Sequence, residues 1–309
     1  CLTPNYKAFM MFRGEPFVTL LIAVMVYFLI QLYQEEYKLN FLNSLLFGVL
    51  IGLIALSRQW GFLFFPTVVF FTFISRKKLS FKRLFGFFTI SSIVGFIISG
   101  WFYLGLYNQY GSFAKFNLEP NNFSILDLIR IMYININIDE LFTNPTKNST
   151  LRGLFPVFYA DLWGDYNMYF SYLDHKFTGR NLRFENYLGR VALISVYPTA
   201  LILYGLVKLS IDFVSKKIDL ISITQKVIFF NVITTWFFYC SWIVIYNFYN
   251  ETISGVSPVY MLQLVNFFPL LGGLASMTIY KKYPSFYQIN LIILSFIFLH
   301  NIGVIYLSN

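Results

Sequence analysis

Residues 84–104 read LFGFFTISSIVGFIISGWFYL, twenty-one consecutive positions without one charged side chain. A helix of that length spans about 30 Å, the thickness of a bilayer's hydrocarbon core. Working outward, seven more apolar segments lie at approximately 16–33, 41–57, 61–75, 189–207, 227–246, 258–280 and 288–307. Composition points the same way. Apolar residues make up 57% and charged residues 12%, where a soluble chain carries about 25% charge. The 38 Phe and 23 Tyr exceed what one water-surrounded core would bury. The expected fold is therefore an all-α polytopic membrane protein with about eight transmembrane helices. The segments at 41–57 and 61–75 are short and meet at Ser57-Arg58-Gln59-Trp60, so they form either a tight pair of crossings or a re-entrant pair.

The net charge of +9 is localised. Arg76, Lys77, Lys78, Lys82 and Arg83 form one cluster. Lys208, Lys216, Lys217 and Lys226 outnumber Asp212 and Asp219 in a second, and Lys281 and Lys282 form a third. Short basic connections between apolar runs mark cytoplasmic loops, which places 76–83, 208–226 and 281–287 in the cytoplasm. The excess reports topology and calls for no nucleic-acid partner. On this arrangement the turn at 57–60, the connection at 105–188 and the loop at 247–257 share the far side. The sequons at Asn122, Asn148 and Asn250 fall there too. Glu35 and Glu36 in the cytoplasmic loop at 34–40 fit the rule poorly.

The chain thus divides into residues 1–104 with about four spans, an outer connection at 105–188, and residues 189–309 with about four more. The outer connection carries an amphipathic surface helix. Ser124 is its N-cap, Asp127 stands at the capping-box position, and Ile125, Leu128, Ile129 and Met132 share a face that would lie along the bilayer surface. A polar turn at 144–150 follows, and then Tyr159-Ala160-Asp161-Leu162-Trp163-Gly164-Asp165-Tyr166.

Charged side chains are absent from the interior of all eight segments, and His300 is the clearest titratable group within one. Ion-coupled transport needs ionisable groups along a pathway, so chemistry at the far-side boundary fits better. Polar residues gather there: Arg13, Glu15, Arg58, Gln59, Asp161, Asp165 and Arg190. Arg58 can hold a lipid phosphate with a forked donor pair, or it can simply snorkel to the nearest headgroup. The aromatics around Asp161 and Asp165 suit either a sugar platform or an interfacial belt. Nothing reads as a Walker A, HExxH, GxSxG or Cys/His metal signature, so no metal or cofactor is called for. Two cysteines exclude a disulfide framework, and Cys1 reads as the start of a fragment or trimmed product.

Four stretches together resemble the GT-C superfamily of membrane glycosyltransferases, in the branch of dolichyl-phosphate-mannose protein mannosyltransferases and related bacterial lipid-linked sugar transferases. They are Phe12-Arg13-Gly14-Glu15-Pro16; Leu56-Ser57-Arg58-Gln59-Trp60-Gly61; the 159–166 stretch with Tyr187-Leu188-Gly189-Arg190-Val191; and Pro258-Val259-Tyr260-Met261-Leu262 with Phe268-Pro269. The resemblance implies inverting sugar transfer from a polyprenyl- or dolichyl-phosphate donor to a protein or glycan hydroxyl, in a bacterial inner membrane or the endoplasmic reticulum. It implies a catalytic acid in a first outer loop, which would lie upstream of Cys1. It gives Arg58 and Gln59 the lipid phosphate, and Asp161, Trp163, Asp165 and Tyr166 the positioning of sugar or acceptor. Arg13, Glu15 and Tyr260 would form the cavity rim. The competing readings are a lipid-linked saccharide flippase and a non-catalytic membrane subunit.

Overall fold

The computed structural model describes residues 4, 15–33, 39–75, 80–111, 113, 124–134, 137–147, 149–167, 182–215, 222–248 and 258–306. Among these residues every regular element is helical and none is a strand, which fits an all-α membrane protein. Three helical stretches are long and apolar enough to cross a membrane: Phe81–Tyr110, Phe184–Val214 and Thr224–Val244. The three sequons, the loop at 34–38 and the cluster at 76–79 lie outside the described residues.

The chain forms two compact units, each built from separated stretches. One comprises residues 13–119 and 212–241, and the other residues 1–12, 120–211 and 242–309.

In the first unit, α1 (Glu15–Tyr33), α2 (Phe41–Ser57), a 3-10 turn (Gln59–Phe64), α3 (Phe65–Ser75) and α4 (Phe81–Tyr110) pack with the first part of α10 (Ile223–Phe248). Val18, Leu21, Ile22, Met25 and Leu29 recur at helical spacing and are buried against Phe47, Ile54, Phe64, Val68, Phe87 and Val227. Phe17, Leu20 and Tyr27, on the other side of α1, are exposed. Apolar side chains both inside and outside are what a lipid-facing helix requires. Helices α2 and α4 meet through small residues, since lipid offers no less apolar a neighbour than a partner helix and close packing must drive association. A Cβ on Gly48 would stand 2.6 Å from Val94 Cβ and 2.7 Å from the Ser91 carbonyl oxygen. The close approach lets Ser91 Oγ donate to the Ser44 carbonyl at 2.9 Å, and Tyr103 Oη to the Ala55 carbonyl at 2.6 Å.

A second polar seam ties the 3-10 turn and α3 to α10. Thr67 and Thr234 share a buried hydroxyl–hydroxyl bond of 2.8 Å, while Thr235 Oγ1 donates to the Leu63 carbonyl at 3.4 Å. A 3-10 stretch leaves carbonyls without their α-helical donors, and in an apolar unit a side-chain hydroxyl is the available substitute.

The second unit holds α5 (Ile125–Ile129), a π turn (Arg130–Ile134), α6 (Ile138–Thr143) and α7 (Leu154–Trp163). It also holds α8 (Leu182–Ile194), most of α9 (Val196–Val214), the last part of α10, and a 3-10 turn (Pro258–Met261). Helices α11 (Leu262–Val265), α12 (Phe268–Lys282), α13 (Pro284–Asn301) and α14 (Gly303–Tyr306) complete it. Helices α8 and α9 form one apolar rod broken at Ser195. Pro198 explains the break: it has no N–H for the Ile194 carbonyl four residues back.

Two expectations need correction. The basic connections are shorter than composition suggests. Lys82 and Arg83 stand in the first turn of α4, Lys208 in α9, and Lys226, 5% exposed, in the first turn of α10. Only Tyr283 separates α12 from α13. Second, the capping box of α5 is present in full, with Asp127 N–H donating to Ser124 Oγ and Ser124 N–H to the Asp127 carboxylate. Its apolar face, however, divides: Leu128 and Met132 are buried, whereas Ile125 and Ile129 are exposed. The polar turn at 144–150 is partly buried: Asn144 and Thr146 are buried and joined by a 2.9 Å side-chain bond, while Lys147 and Thr150 are exposed.

The α2–α4 contact yields a paired prediction. Gly48→Ala is expected to cost about 1–3 kcal/mol through overpacking. Gly86→Ala, with nothing within 4 Å of the added Cβ, is expected to be neutral or to gain up to about 1 kcal/mol of helix propensity. Unfolding midpoints in mixed micelles of increasing SDS fraction would separate the two, and equal losses would contradict the packing argument.

Candidate functional site

Helix α7 carries the acidic and aromatic residues. It begins after Gly153, whose φ of 96° suits glycine, and ends where the Gly164 N–H bonds the Ala160 carbonyl at 2.9 Å. Asp161 lies in the last turn of α7, and Asp165 follows Gly164. Both are fully buried, as are Leu162 and, at 8% exposure, Trp163. The two carboxylates are therefore part of the interior of their unit.

The aromatics act as struts. Trp163 Nε1 donates to Thr199 Oγ1 at 2.9 Å, and Thr199 Oγ1 donates to the Ser195 carbonyl at 2.8 Å. Tyr159 Oη donates to the Ala192 carbonyl at 2.6 Å. On the same kink, Asn301 Nδ2 donates to Ser195 Oγ at 2.8 Å. The interruption in the α8–α9 rod is thus the attachment point for α7 and α13. A little before it, the Tyr187 hydroxyl donates to the His300 carbonyl, and its ring lies 5.1 Å from the imidazole. His300 is a bundle residue held by ring contact, as a relay need not be.

Tyr166 sits at the edge of this arrangement. Its carbonyl accepts the Lys147 N–H at 2.8 Å, tying the α7 exit to the 144–150 turn. Burial raises its phenol pKa above the usual value; the Arg152 guanidinium pulls it down, and the Asp161 carboxylate pushes it further up. Arg152 itself is exposed and held by the Ser149 and Leu151 carbonyls at 3.2 and 2.9 Å. Burial also raises Tyr159, with partial opposition from Thr199. Asp161, Arg152 and Tyr166 therefore form one electrostatic group.

Arg58 belongs to the other unit. It is exposed, with extended backbone (φ −162°, ψ 141°), and it caps both α2 and the 3-10 turn. Gln59, Glu15 and Tyr260 are placed only by their backbones: Gln59 opens the 3-10 turn, Glu15 opens α1, and Tyr260 lies in the 258–261 turn. Arg13 and the Asp174-His175 pair lie outside the described residues. The structure brings Asp161, Trp163, Asp165 and Tyr166 together within one unit, while Arg58 and Gln59 belong to the other.

Sequence reading passed over Arg152, Thr199 and Glu185. Glu185 is 1% exposed in the first turn of α8. Its signal was available, since a carboxylate four residues ahead of an apolar segment falls inside the helix when the helix starts early. Among the described residues no cluster of three or more His, Cys, Asp or Glu could hold a metal ion.

The electrostatic group predicts the behaviour of Tyr166. Asp161→Asn should lower its pKa by removing a negative neighbour, and Arg152→Ala should raise it, as followed by ring-labelled tyrosine NMR. Because the folded-state pKa lies above the unfolded one, the stabilisation is complete below about pH 10. It is lost as pH rises through the folded value. For the struts, Trp163→Phe and Tyr159→Phe should each cost about 1 kcal/mol, read as a lowered unfolding midpoint.

No family model matches this chain, and no curated protein or solved structure is detectably similar to it.

Proposed function

We propose that the protein is a membrane glycosyltransferase that moves a sugar from a polyprenyl- or dolichyl-phosphate donor to an acceptor hydroxyl on the luminal or periplasmic side. About eight helices would cross the bilayer, with the 105–188 connection on the far side. The acceptor oxygen attacks the anomeric carbon, the bond from that carbon to the phosphate oxygen breaks, and the lipid phosphate leaves with its electron pair. The acceptor proton passes to a carboxylate expected in a preceding outer loop, as in the family this chain resembles.

The observation that carries the reading is the break at Arg58. An exposed guanidinium stands on the one extended residue between two apolar helical stretches. A planar forked donor at that place matches a phosphate bidentately and stabilises leaving-group charge without solvent reorganisation. In this scheme Gln59 assists at the phosphate. Asp161 and Asp165, both fully buried, and Trp163, bonded to Thr199, act in this scheme through the packing of their unit and not by touching the sugar. No cofactor is needed, and the partners are membrane lipid, the lipid-linked sugar and a protein or glycan acceptor.

A flippase would need polar groups lining a path through the bilayer. The polar seam of the first unit, Thr67 with Thr234 and Thr235, is buried and its hydroxyls are bonded between helices, which suits a structural role.

The test is sugar transfer by the full-length protein in proteoliposomes supplied with a radiolabelled polyprenyl-phosphate sugar and an acceptor peptide or glycan. Arg58→Ala should raise the donor KM about tenfold to a hundredfold, the loss of a charged hydrogen-bonded pair, with Arg58→Lys intermediate. Movement of the labelled lipid between leaflets without transfer would replace this reading with the flippase. Binding without turnover would replace it with the non-catalytic subunit.

A further inference from the structure

Apolar residues on α5 and the π turn occupy two faces, and only one is used within the unit. Leu128 and Met132 are buried at 0% and 1% exposure. Ile125, Leu126, Ile129 and Ile134 are exposed, Leu126 at 78% and Ile134 at 66%. In an unbroken α-helix Ile134 would turn about 80° past Leu126. The wider π turn at Arg130–Ile134 reduces that offset and keeps both on one stripe. Phe155 of α7 extends the patch, being exposed with its ring 6.1 Å from that of Tyr133. Arg130, exposed, stands on the same row, four residues from Leu126 and four from Ile134.

We infer that this second face, Ile125, Leu126, Ile129 and Ile134 with Phe155, is a membrane-docking surface seated at the headgroup–acyl boundary of the leaflet facing the 105–188 connection. The inference rests on the membrane reading of the chain and not on sugar transfer. Two observations select lipid as the occupant. The same unit contains the Phe184–Val214 helix, whose Leu193, Val196, Leu203, Val207 and Ile211 are all exposed; an outer surface of that kind is lipid-facing. The docking face therefore belongs to a body already held at the bilayer. Arg130, within the stripe, then snorkels to phosphate as the apolar side chains around it enter the acyl region. Because Leu128 and Met132 fix the helix from behind, the surface is preformed. It differs from the face the sequence pattern suggests, since half of that face is spent on the protein interior.

The experiment places a single environment-sensitive fluorophore on cysteine in the full-length protein, in a Cys1→Ser, Cys240→Ser background. The protein is reconstituted into phosphatidylcholine nanodiscs containing lipid with a nitroxide near the headgroup end of one acyl chain. Leu126→Cys and Ile134→Cys are the test positions, Lys147→Cys the exposed turn control, and Phe96→Cys, on α4, the span control. The expected result is blue-shifted emission at 126 and 134, loss of it to the lipid nitroxide, and protection from aqueous iodide, with the reverse at 147. Iodide quenching at 126 equal to that at 147 would overturn the proposal. So would protection from both quenchers, which would mean that protein or a second copy covers the face. If Phe96 also fails to meet a nitroxide placed at any depth, the membrane reading itself has failed; if Phe96 is quenched and 126 is not, only the docking surface has.

Discussion

Pro198 has no backbone N–H to give, and the arrangement of the second unit follows from that deficit. In an apolar medium a carbonyl without a donor is costly, so a rod with a missing rung bends there and collects polar partners. Ser195 supplies the break with a hydroxyl that accepts from Asn301 and a carbonyl that accepts from Thr199. Thr199 in turn accepts from Trp163. These bonds tie the last long helix and the acidic helix α7 to the break. Asp161, on the opposite face of α7 from Tyr159 and Trp163, is buried by other parts of the unit.

The first unit solves a related problem differently. Its helices approach through Gly48, Ser91 and Gly95, where the absence of side-chain bulk does the work of a hydrophobic driving force that lipid surroundings cannot provide. Its irregular turn at Gln59–Phe64 is stabilised from a neighbouring helix by threonine hydroxyls. Backbone irregularity among apolar helices is thus accompanied in both units by a Ser or Thr within reach. The positions of these residues inside apolar runs are informative where their mere presence is not.

Much of the secondary structure was legible because apolar length and periodicity dominate it. Each of the eight apolar segments coincides with helix, and the Ser124–Asp127 box forms as its spacing requires. Helix ends were less legible. Lys82, Lys208 and Lys226 lie within helices because a long amphipathic side chain lets a helix continue past the apolar boundary that composition detects. The faces of α5 were misjudged because the buried stripe is narrower than the apolar one: Leu128 and Met132 are buried, while Ile125 and Ile129, beside them on the helix, are exposed. For the candidate site, the helix bearing Asp161 and the turn at Gly164 could be read from sequence. The burial of both carboxylates could not, since it is set by tertiary packing that a local pattern does not encode. Arg152 was invisible for the same reason: its influence on Tyr166 exists only once the 144–150 turn folds back on the α7 exit.

Helix length bears on the proposed role of Arg58. Helix α2 has 17 residues, about 25 Å at 1.5 Å per residue, against a hydrocarbon core of about 30 Å. If α2 crosses the membrane from one interface, its C-terminal end therefore falls a few ångströms short of the other. The chain that follows, a 3-10 turn of six residues and an α-helix of eleven, is short as well. In that crossing, two short stretches meeting at a single extended residue would leave that residue a few ångströms inside the hydrocarbon boundary. An arginine there reaches the phosphate layer by its own length, and its partner is set by depth. A lysine could reach as far, but as a point charge it would not fix the orientation of the phosphate it binds. Sugar transfer from a lipid phosphate demands that orientation, because the leaving oxygen must lie opposite the incoming hydroxyl. Snorkelling alone makes no such demand, so loss of orientation on conservative replacement by lysine is the property that distinguishes the two roles of this residue.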